Sequence, residues 1–275
     1  HTTLATLAGG NYSLSTVFAR DALGISNTSG TYDTRHVGTG KTVTVTGLVL
    51  TGTPVANYVL SSTTAAGTVG EITPRALTIG AVGIDRIYNG LLGATVTLND
   101  DRIGGDVLTT GYTAANFATK DVGVGKTVTV TGLTLGGADA GNYSFNVGTT
   151  TTADITPRAL TIGAVGIDKA FDGTTNASVI LSDDRLAGDM FTTGFSSANF
   201  ATSLPGTGIT ITVNGLNLSG LDAGNYSFNT TATTMADITG SVPPPAPAPT
   251  ASPLPSTVVK VTQDPSGPVG APTDD

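Results

Sequence analysis

The segment ITPRALTIGAVGID at residues 72–85 occurs again, unchanged, at residues 155–168. An internal repeat of this kind indicates that the chain is built from copies of one folding unit. The two copies start 83 positions apart. The sequence therefore predicts tandem domains.

Further repeated segments follow each copy. GKTVTVTGLTL at 125–135 corresponds to GITITVNGLNL at 208–218, and DAGNYSFN is identical at 139–146 and 222–229. An earlier GKTVTVTGLVL lies at 40–50. We predict three modules, of which the first begins inside a repeat and lacks its opening strand, and we expect further modules before it. Their predicted bounds are 1–74, 75–157 and 158–240.

The composition is that of a folded, turn-rich β protein. Hydrophobic residues make up 39% of the 275 residues, and the mean hydropathy is +0.17, too apolar for a disordered polymer. Only 12% of residues are charged, and the 37 glycines are about twice the usual share. The surface must therefore be covered largely by Thr, Ser, Asn and turns.

Charge and length exclude several classes of partner. The net charge of −8 and the pI near 4.5 would repel phosphate backbones, so we expect no nucleic-acid partner. No apolar run is long enough to span a bilayer, so no membrane insertion is predicted. The absence of cysteine excludes disulfides, thiolate zinc sites and thiol nucleophiles.

Within each module, apolar residues alternate with polar ones, as at Ala94, Val96 and Leu98. This period is typical of half-buried strands. About seven short strands per module predict an all-β fold of tandem immunoglobulin-like β-sandwich modules. A β-grasp-like sheet is the alternative, which the missing helix disfavours. The alternation breaks at Ala81-Val82 and at Thr131-Gly132, where we predict β-bulges.

Two glycines are predicted to form tight turns. Asn89-Gly90 and Asp172-Gly173 are dipeptides that tolerate positive φ, so Gly90 and Gly173 are the expected turn glycines.

Three tyrosines at equivalent positions are predicted corner tyrosines, in which the ring fills the core and the hydroxyl binds a crossover loop. They are Tyr58, Tyr143 and Tyr226. The last two follow an Asp-Ala-Gly-Asn segment, whereas Pro54 stands where the first module should have the Asp. We therefore expect the Asp to be helpful but dispensable.

The joints between modules contain no flexible spacer. Ile72-Thr73-Pro74-Arg75 leads from the last strand of one module directly into the next, which predicts a stiff joint. After residue 240 the composition changes, and ten of the fourteen prolines lie between Pro243 and Pro272. Residues 241–275 are predicted to be a disordered Pro-rich tail or linker.

The repeated segments together resemble a known bacterial repeat. ITPRALTI, the triplets Tyr88-Asn89-Gly90 and Phe171-Asp172-Gly173, the GKTVTVTGL strand and DAGNYSF resemble the YDG repeat over residues 1–240. The resemblance implies a large secreted protein of the filamentous-haemagglutinin type. It further implies residence at the bacterial cell surface, associated with the outer membrane, or outside the cell, and a role in adhesion or in projecting an adhesive head. It implies no catalytic residue.

Two glycine-rich segments superficially resemble phosphate-binding loops. They are Gly38-Thr39-Gly40-Lys41-Thr42 and Gly123-Val124-Gly125-Lys126-Thr127. The first glycine of the motif is missing, because Arg35 and Lys120 occupy its position, and a strand follows where a helix must begin. We interpret both segments as strand entries and predict no cofactor.

Two loops contain clusters of carboxylates that could in principle bind calcium. They contain Asp100, Asp101 and Asp106 in the second module and Asp183, Asp184 and Asp189 in the third. Their spacing matches no EF-hand, and the first module retains only Asp21, so a solvated turn is favoured and no metal site is assigned. The same pairs do not make a convincing glycosidase site.

We therefore predict a non-enzymatic spacer or stalk whose partners are its neighbouring repeats. Histidine occurs only at His1 and His36, so the second and third modules cannot hold a histidine-based triad. The alternative is a module that binds a host-cell or matrix glycan or protein, with calcium as a stabiliser. Tyr112 and Phe195 are its candidate exposed aromatics, although partly buried loop anchors are favoured for both.

Overall fold

The alternating apolar residues form strands throughout the described part of the chain. The computed structural model describes residues 3–27, 29–244 and 260. Within these residues the secondary structure consists of strands and short 3₁₀ turns, with no α-helix. The all-β prediction is confirmed. None of these elements is a helix of the length and apolarity that crossing a bilayer requires.

The strands divide among the three modules as follows. The first module contains β1 (Leu4–Thr6), β2 (Ala22–Ile25), β3 (Ser29–Tyr32), β4 (Gly38–Thr46), β5 (Leu50–Thr53) and β6 (Thr64–Ile72). The second contains β7 (Arg75–Leu77), β8 (Ile79–Ile84), β9 (Arg86–Ile87), β10 (Thr95–Asp100), β11 (Thr109–Gly111), β12 (Ala114–Phe117), β13 (Gly123–Thr131), β14 (Thr134–Gly136), β15 (Tyr143–Phe145) and β16 (Gly148–Thr156). The third contains β17 (Arg158–Leu160), β18 (Ile162–Ile167), β19 (Lys169–Ala170), β20 (Ser178–Asp183), β21 (Thr192–Gly194), β22 (Ser197–Phe200), β23 (Gly206–Asn214), β24 (Asn217–Ser219), β25 (Tyr226–Phe228) and β26 (Thr231–Thr239). The 3₁₀ turns are Gly9–Asn11, Val55–Asn57, Ala140–Asn142 and Ala223–Asn225.

The second and third modules share one topology. In the second, a four-stranded sheet has the order β12-β13-β16-β9, and two-stranded ladders pair β8 with β10, β11 with β14, and β7 with β15. The β7–β15 and β9–β16 pairs are parallel, whereas the other ladders are antiparallel. The opening strands of a module therefore lie beside its closing strands.

The core is built from inward residues of the central strands. Ile79, Val128, Val130 and Ile155 are at most 1% exposed, and burying each such side chain stabilises the fold by about 1.5–3 kcal/mol. The buried residues of the second and third modules form one continuous cluster. The first module has a separate and smaller cluster around Val43 and Val45.

The bulge predicted at Ala81-Val82 is wrong. β8 pairs with β10 in unbroken register from Ile79 to Ile84. The inward position after Ala81 is occupied by Gly83. A larger residue does not fit there, because a Cβ would lie 2.4 Å from the carbonyl oxygen of Thr152 in β16. The apolar side chains of Val82 and Ile84 point outward and are 55% and 46% exposed. The alternation is thus intact, with a glycine at an inward position.

The bulge predicted at Thr131-Gly132 is also wrong, since β13 ends at Thr131. Gly132 has φ +63°, and the chain turns there and passes into β14 in a different ladder. The register shift lies instead at the start of β13, between Gly123 and Lys126, where Gly125 has φ +61°. The glycines that superficially resemble a phosphate-binding loop therefore lie in a strand and form its bulge.

The turn glycines are confirmed. Gly90 has φ +76° and Gly173 has φ +75°, a conformation that side chains with a Cβ rarely adopt. The preceding Asn89 and Asp172 each accept a hydrogen bond from the backbone N–H two residues later. The triplet that contains each dipeptide is therefore a rigid turn.

The joints are as short as predicted. Thr73 and Pro74 separate β6 from β7, and Pro157 alone separates β16 from β17. Among the described residues of the first module, β6 lies at the edge of the sheet β1-β3-β4-β6. The predicted tail falls almost entirely outside the described residues.

Candidate functional site at the module junctions

The corner tyrosines anchor the loop that carries the buried aspartates. The Tyr143 hydroxyl donates a hydrogen bond to Asp106 Oδ2 at 2.6 Å and accepts one from the Ile103 N–H at 3.0 Å. Tyr226 makes the same pair of bonds with Asp189 and the Leu186 N–H, at 2.6 and 3.0 Å. The predicted tie between hydroxyl and loop backbone is confirmed, and a loop carboxylate is a second partner.

A second aspartate lies beside the first in each of these modules. Asp139 and Asp222 precede the 3₁₀ turns and accept hydrogen bonds from the Val107 and Met190 N–H groups, at 3.0 and 2.9 Å. Asn142 and Asn225, in the same turns, are only 3% and 4% exposed. We call this surface of two aspartates and one asparagine the acceptor face.

The preceding module covers each acceptor face with a hairpin loop, which we call the tip. In the second module the tip is the loop between β12 and β13 that contains Lys120, Asp121 and Val122. Lys120 Nζ lies 2.7 Å from Asp222 Oδ1 and 3.2 Å from Asp189 Oδ1 in the third module. One cation thus bridges both carboxylates of the face.

A backbone contact supplements the ion pairs. The Val122 N–H donates to Asn225 Oδ1 at 2.9 Å, and Asn225 Nδ2 donates to Asp121 Oδ1 at 3.3 Å. The side-chain amide therefore uses both its acceptor and its donor across the junction, which fixes the position of the tip on the face.

Tyr88, in the turn triplet, completes this junction. Its backbone N–H binds the carbonyl of Thr156 at the end of its own module, which places the ring beside the third module. The hydroxyl donates to Asp189 Oδ1 at 3.0 Å, and the ring packs edge-on against Tyr226 with 5.7 Å between centroids. The side chain is 1% exposed.

The junction between the first two modules repeats the polar part of this arrangement. Arg35 Nη2 lies 3.0 Å from Asp139 Oδ1, and Arg35 Nη1 lies 3.6 Å from Asp106 Oδ1. The Val37 N–H donates to Asn142 Oδ1 at 3.0 Å, and His36 Nδ1 lies 3.2 Å from Asn142 Nδ2.

The charges at the second junction stabilise one another. The hydrogen bond from Lys120 is the main cause that lowers the pKa of Asp222, and the Met190 N–H contributes further. The bond to Asp222 in turn raises the pKa of Lys120. Burial and the bond to Asp189 raise the pKa of Tyr226 to about 12. Asp222 is therefore charged and Tyr226 is neutral over the ordinary pH range.

The carboxylates of the two proposed calcium loops point to different partners. Asp100 forms a two-pronged pair with Arg102, which lowers its pKa. Asp101 accepts a hydrogen bond from the Thr78 N–H at 2.8 Å, and Asp106 belongs to the acceptor face. The third module repeats this pattern at Asp183, Asp184 and Asp189. Across residues 3–27, 29–244 and 260, no three His, Asp or Glu side chains are grouped as a metal site would require.

The two candidate binding aromatics lie at the surface. Tyr112 and Phe195 occupy equivalent loops and are 36% and 38% exposed. They are neither fully solvated nor buried in the core. The structure does not bring them together with the junction residues.

Sequence reasoning missed the tip and the acceptor asparagines. In the sequence alone, Arg35 and Lys120 are notable only because each occupies the position of the first glycine of a phosphate-binding motif. The sequence signal for the tip is a cationic residue two positions before a valine, which occurs in the first two modules. The third module has Ser203-Leu204-Pro205 at the corresponding positions and lacks this signal. A contact between modules leaves no local periodicity, so only a comparison of the copies could have found it.

The family model of the YDG domain matches residues 1–65, 73–153 and 156–234. The chain belongs to the YDG domain family. The matched segments correspond to the three structural modules, which are YDG modules. No curated protein and no solved structure matches this chain.

The YDG triplet thus has a defined place in this chain. In the second module its tyrosine position, Tyr88, provides a junction ring and its glycine, Gly90, provides the turn. What the site can do chemically is bind a neighbouring module: it contains ion pairs between partly exposed cations and buried aspartates, amide contacts and one ring. Within the described residues, every titratable group of the site is held by a partner across or beside the junction.

Proposed function

We propose that this chain is a non-enzymatic spacer in which YDG modules are held in a fixed relative orientation. The observation that carries the proposal is the repeated junction: at both joints a cation of one module pairs with two aspartates of the next, and a backbone N–H binds an asparagine. A tip locked at several points cannot swing freely. Linkers of one or two residues limit the motion further.

The location of the spacer follows from its family resemblance alone. We propose a bacterial cell-surface or secreted protein of the filamentous-haemagglutinin type, in which these modules project an adhesive region or contribute to adhesion. The acidic net charge and low content of charged residues are compatible with an extracellular, non-nucleic-acid role.

We further propose that each complete module is an immunoglobulin-like sandwich. In support, the β8–β10 ladder lies against the four-stranded sheet at Gly83, and opening strands pair in parallel with closing strands. The β-grasp-like alternative would require a helix across the sheet, and the described residues of the modules contain none.

Small-angle scattering of the whole chain tests the spacer. In this profile, residues 1–240 are expected to fit an extended particle with one conformation. Inserting a flexible Gly-Ser segment at Pro157 should broaden the distribution of distances between the second and third modules. A matched insertion at Leu204, an exposed residue in the loop between β22 and β23 of the third module, should leave the distances between the modules unchanged. A profile of the unaltered chain that already requires many conformations would contradict the proposal.

A second candidate function is a module that binds a glycan or protein. The observation that favours it is the partly exposed aromatic in the same loop of two modules, Tyr112 and Phe195. Saturable binding to a glycan or matrix-protein array that is lost in Tyr112→Ala/Phe195→Ala supports it, and the spacer predicts no such binding. Calcium stabilisation is checked separately, because added calcium or chelator must then shift the melting temperature.

A further inference from the structure

The first module presents an acceptor face of its own at its exposed end. Asp21 and Tyr58 correspond to Asp106 and Tyr143, and Asn57 corresponds to Asn142. Asn57 is exposed, whereas the tips of preceding modules bury the equivalent asparagines in the second and third modules. The same chemistry that holds two junctions together is thus displayed here at the surface.

This face is formed without a tip against it. The Tyr58 hydroxyl donates to Asp21 and accepts a hydrogen bond from the Phe18 N–H, as the corner tyrosines do in the other modules. The loop that carries the carboxylate therefore already has the geometry of an occupied face. Binding of a ligand would therefore require little free energy for reorganisation of the loop.

The first face differs from the others at one position. Pro54 replaces the second aspartate, so a bound cation would meet one carboxylate where Lys120 meets two. Asn57 remains, and it corresponds to the asparagines that accept a hydrogen bond from a backbone N–H at the internal junctions. We expect binding of the same kind but weaker than at the internal junctions.

We propose that the exposed face of the first module binds the basic tip of a further YDG module. The tip's Lys or Arg pairs with Asp21, and the N–H two residues later donates to Asn57 Oδ1. This deepens the spacer proposal and rests on it, since it names the partner to which the array is joined. The two internal junctions supply the template for both contacts.

The tip of the third module cannot be that partner. Ser203 provides no cation, Pro205 has no N–H to donate, and Phe171 lacks the hydroxyl that Tyr88 donates to Asp189. A head-to-tail contact of this type generates an open filament unless the rotation between successive copies closes a ring. The three changes in the third module prevent copies of this chain from joining in that way.

Restoring the tip of the third module provides the test, with the whole chain as its own probe. The variant F171Y/S203K/L204D/P205V should associate in a concentration-dependent manner in sedimentation velocity, with a dissociation constant of about 1 mM or tighter. Added salt should weaken this association several-fold, because one contact is an exposed ion pair. The unaltered chain should remain monomeric under the same conditions.

Two further variants identify the surface. Asn57→Ala in the restored chain should abolish association, and Pro54→Asp should strengthen it. If the fourfold variant fails to fold, S203K/P205V alone retains both essential contacts and is measured instead. Restored chains that stay monomeric, or that associate regardless of Asn57→Ala, overturn the proposal, as does head-to-tail association of the unaltered chain.

The outcome is separable from that of the spacer. If scattering shows that the modules move relative to one another and the restored chain still associates, the stiff spacer is rejected and the proposed binding by the first acceptor face is supported. A stiff array whose restored variant stays monomeric would do the reverse.

Discussion

At the scale of single residues, the corner tyrosines hold the acceptor face in place. Tyr143 is 7% exposed, and its hydroxyl binds both Asp106 and a loop N–H. The same atom therefore supports the core and orients a carboxylate for the neighbouring module. Stability and docking depend on one side chain.

Tyr143→Phe is expected to lower the free energy of unfolding by about 1 kcal/mol or more, because a buried hydroxyl bond to a carboxylate is lost. Chemical denaturation of the whole chain measures this loss. Tyr112→Phe, at an exposed ring, is the control and should have little effect. Equal stability of the Tyr143→Phe variant and the unaltered chain would contradict the corner assignment.

Acid should weaken the second junction. The pKa of Asp222 in the folded chain lies below its ordinary value near 4, so the stability it contributes is present above that value and lost as the pH falls through the folded pKa. Thermal unfolding of the unaltered chain and of Lys120→Met should therefore differ at pH 6 and converge toward pH 2. A constant difference across this range would show that the ion pair does not stabilise the junction.

At the scale of strands, glycines at inward positions determine how closely the layers approach. A Cβ at Gly83 would lie 2.4 Å from the Thr152 carbonyl, and one at Gly166 would lie 2.7 Å from the Met235 carbonyl. The two glycines are equivalent, and both face the backbone of a closing strand. Neither neighbour is a flexible side-chain end that could move away.

Gly83→Ala should destabilise the second module by about 1–3 kcal/mol, the usual cost of overpacking. Gly104→Ala is a matched control, since nothing lies within 4 Å of its added Cβ and its φ is ordinary. Denaturant midpoints of the two variants compare them directly. Loss of stability in the Gly104 variant alone would refute the close-approach argument.

The strands and their turns were largely predictable, and their partners were not. Alternation and the Asn-Gly and Asp-Gly dipeptides are local signals, so the all-β class and Gly90 and Gly173 could be predicted. The Ala81-Val82 pair imitates a change of face because the next inward residue is Gly83, which has no apolar side chain to continue the alternation. The closeness of a neighbouring strand cannot be read from the strand itself.

At the scale of the whole molecule, the modules are unequal. The second and third share one continuous buried cluster, and Tyr88 and Tyr226 are part of it. The first has its own small cluster and meets the second module through polar contacts. We therefore expect the second and third modules to unfold together and the first module to unfold separately from them.

Hydrogen exchange should show this division. Amides of β4 and β6 are expected to exchange well before those of β13 and β16, while β13 and β23 should exchange together because their cores are continuous. Tyr88→Ala should separate the protection of β13 from that of β23, whereas Ile87→Ala, at an adjacent exposed side chain, should not. Uniform protection of all three modules would contradict the expectation.

The parallel pairing of opening and closing strands has a mechanical consequence. When an array is stretched along its length, β7 and β9 are drawn in one direction and β15 and β16 in the other. Because the paired strands lie side by side and parallel, their hydrogen bonds are loaded together in shear and do not open one at a time. Each complete module is thereby clamped where tension enters and leaves it, and the chain can transmit a pulling force without unravelling from its ends.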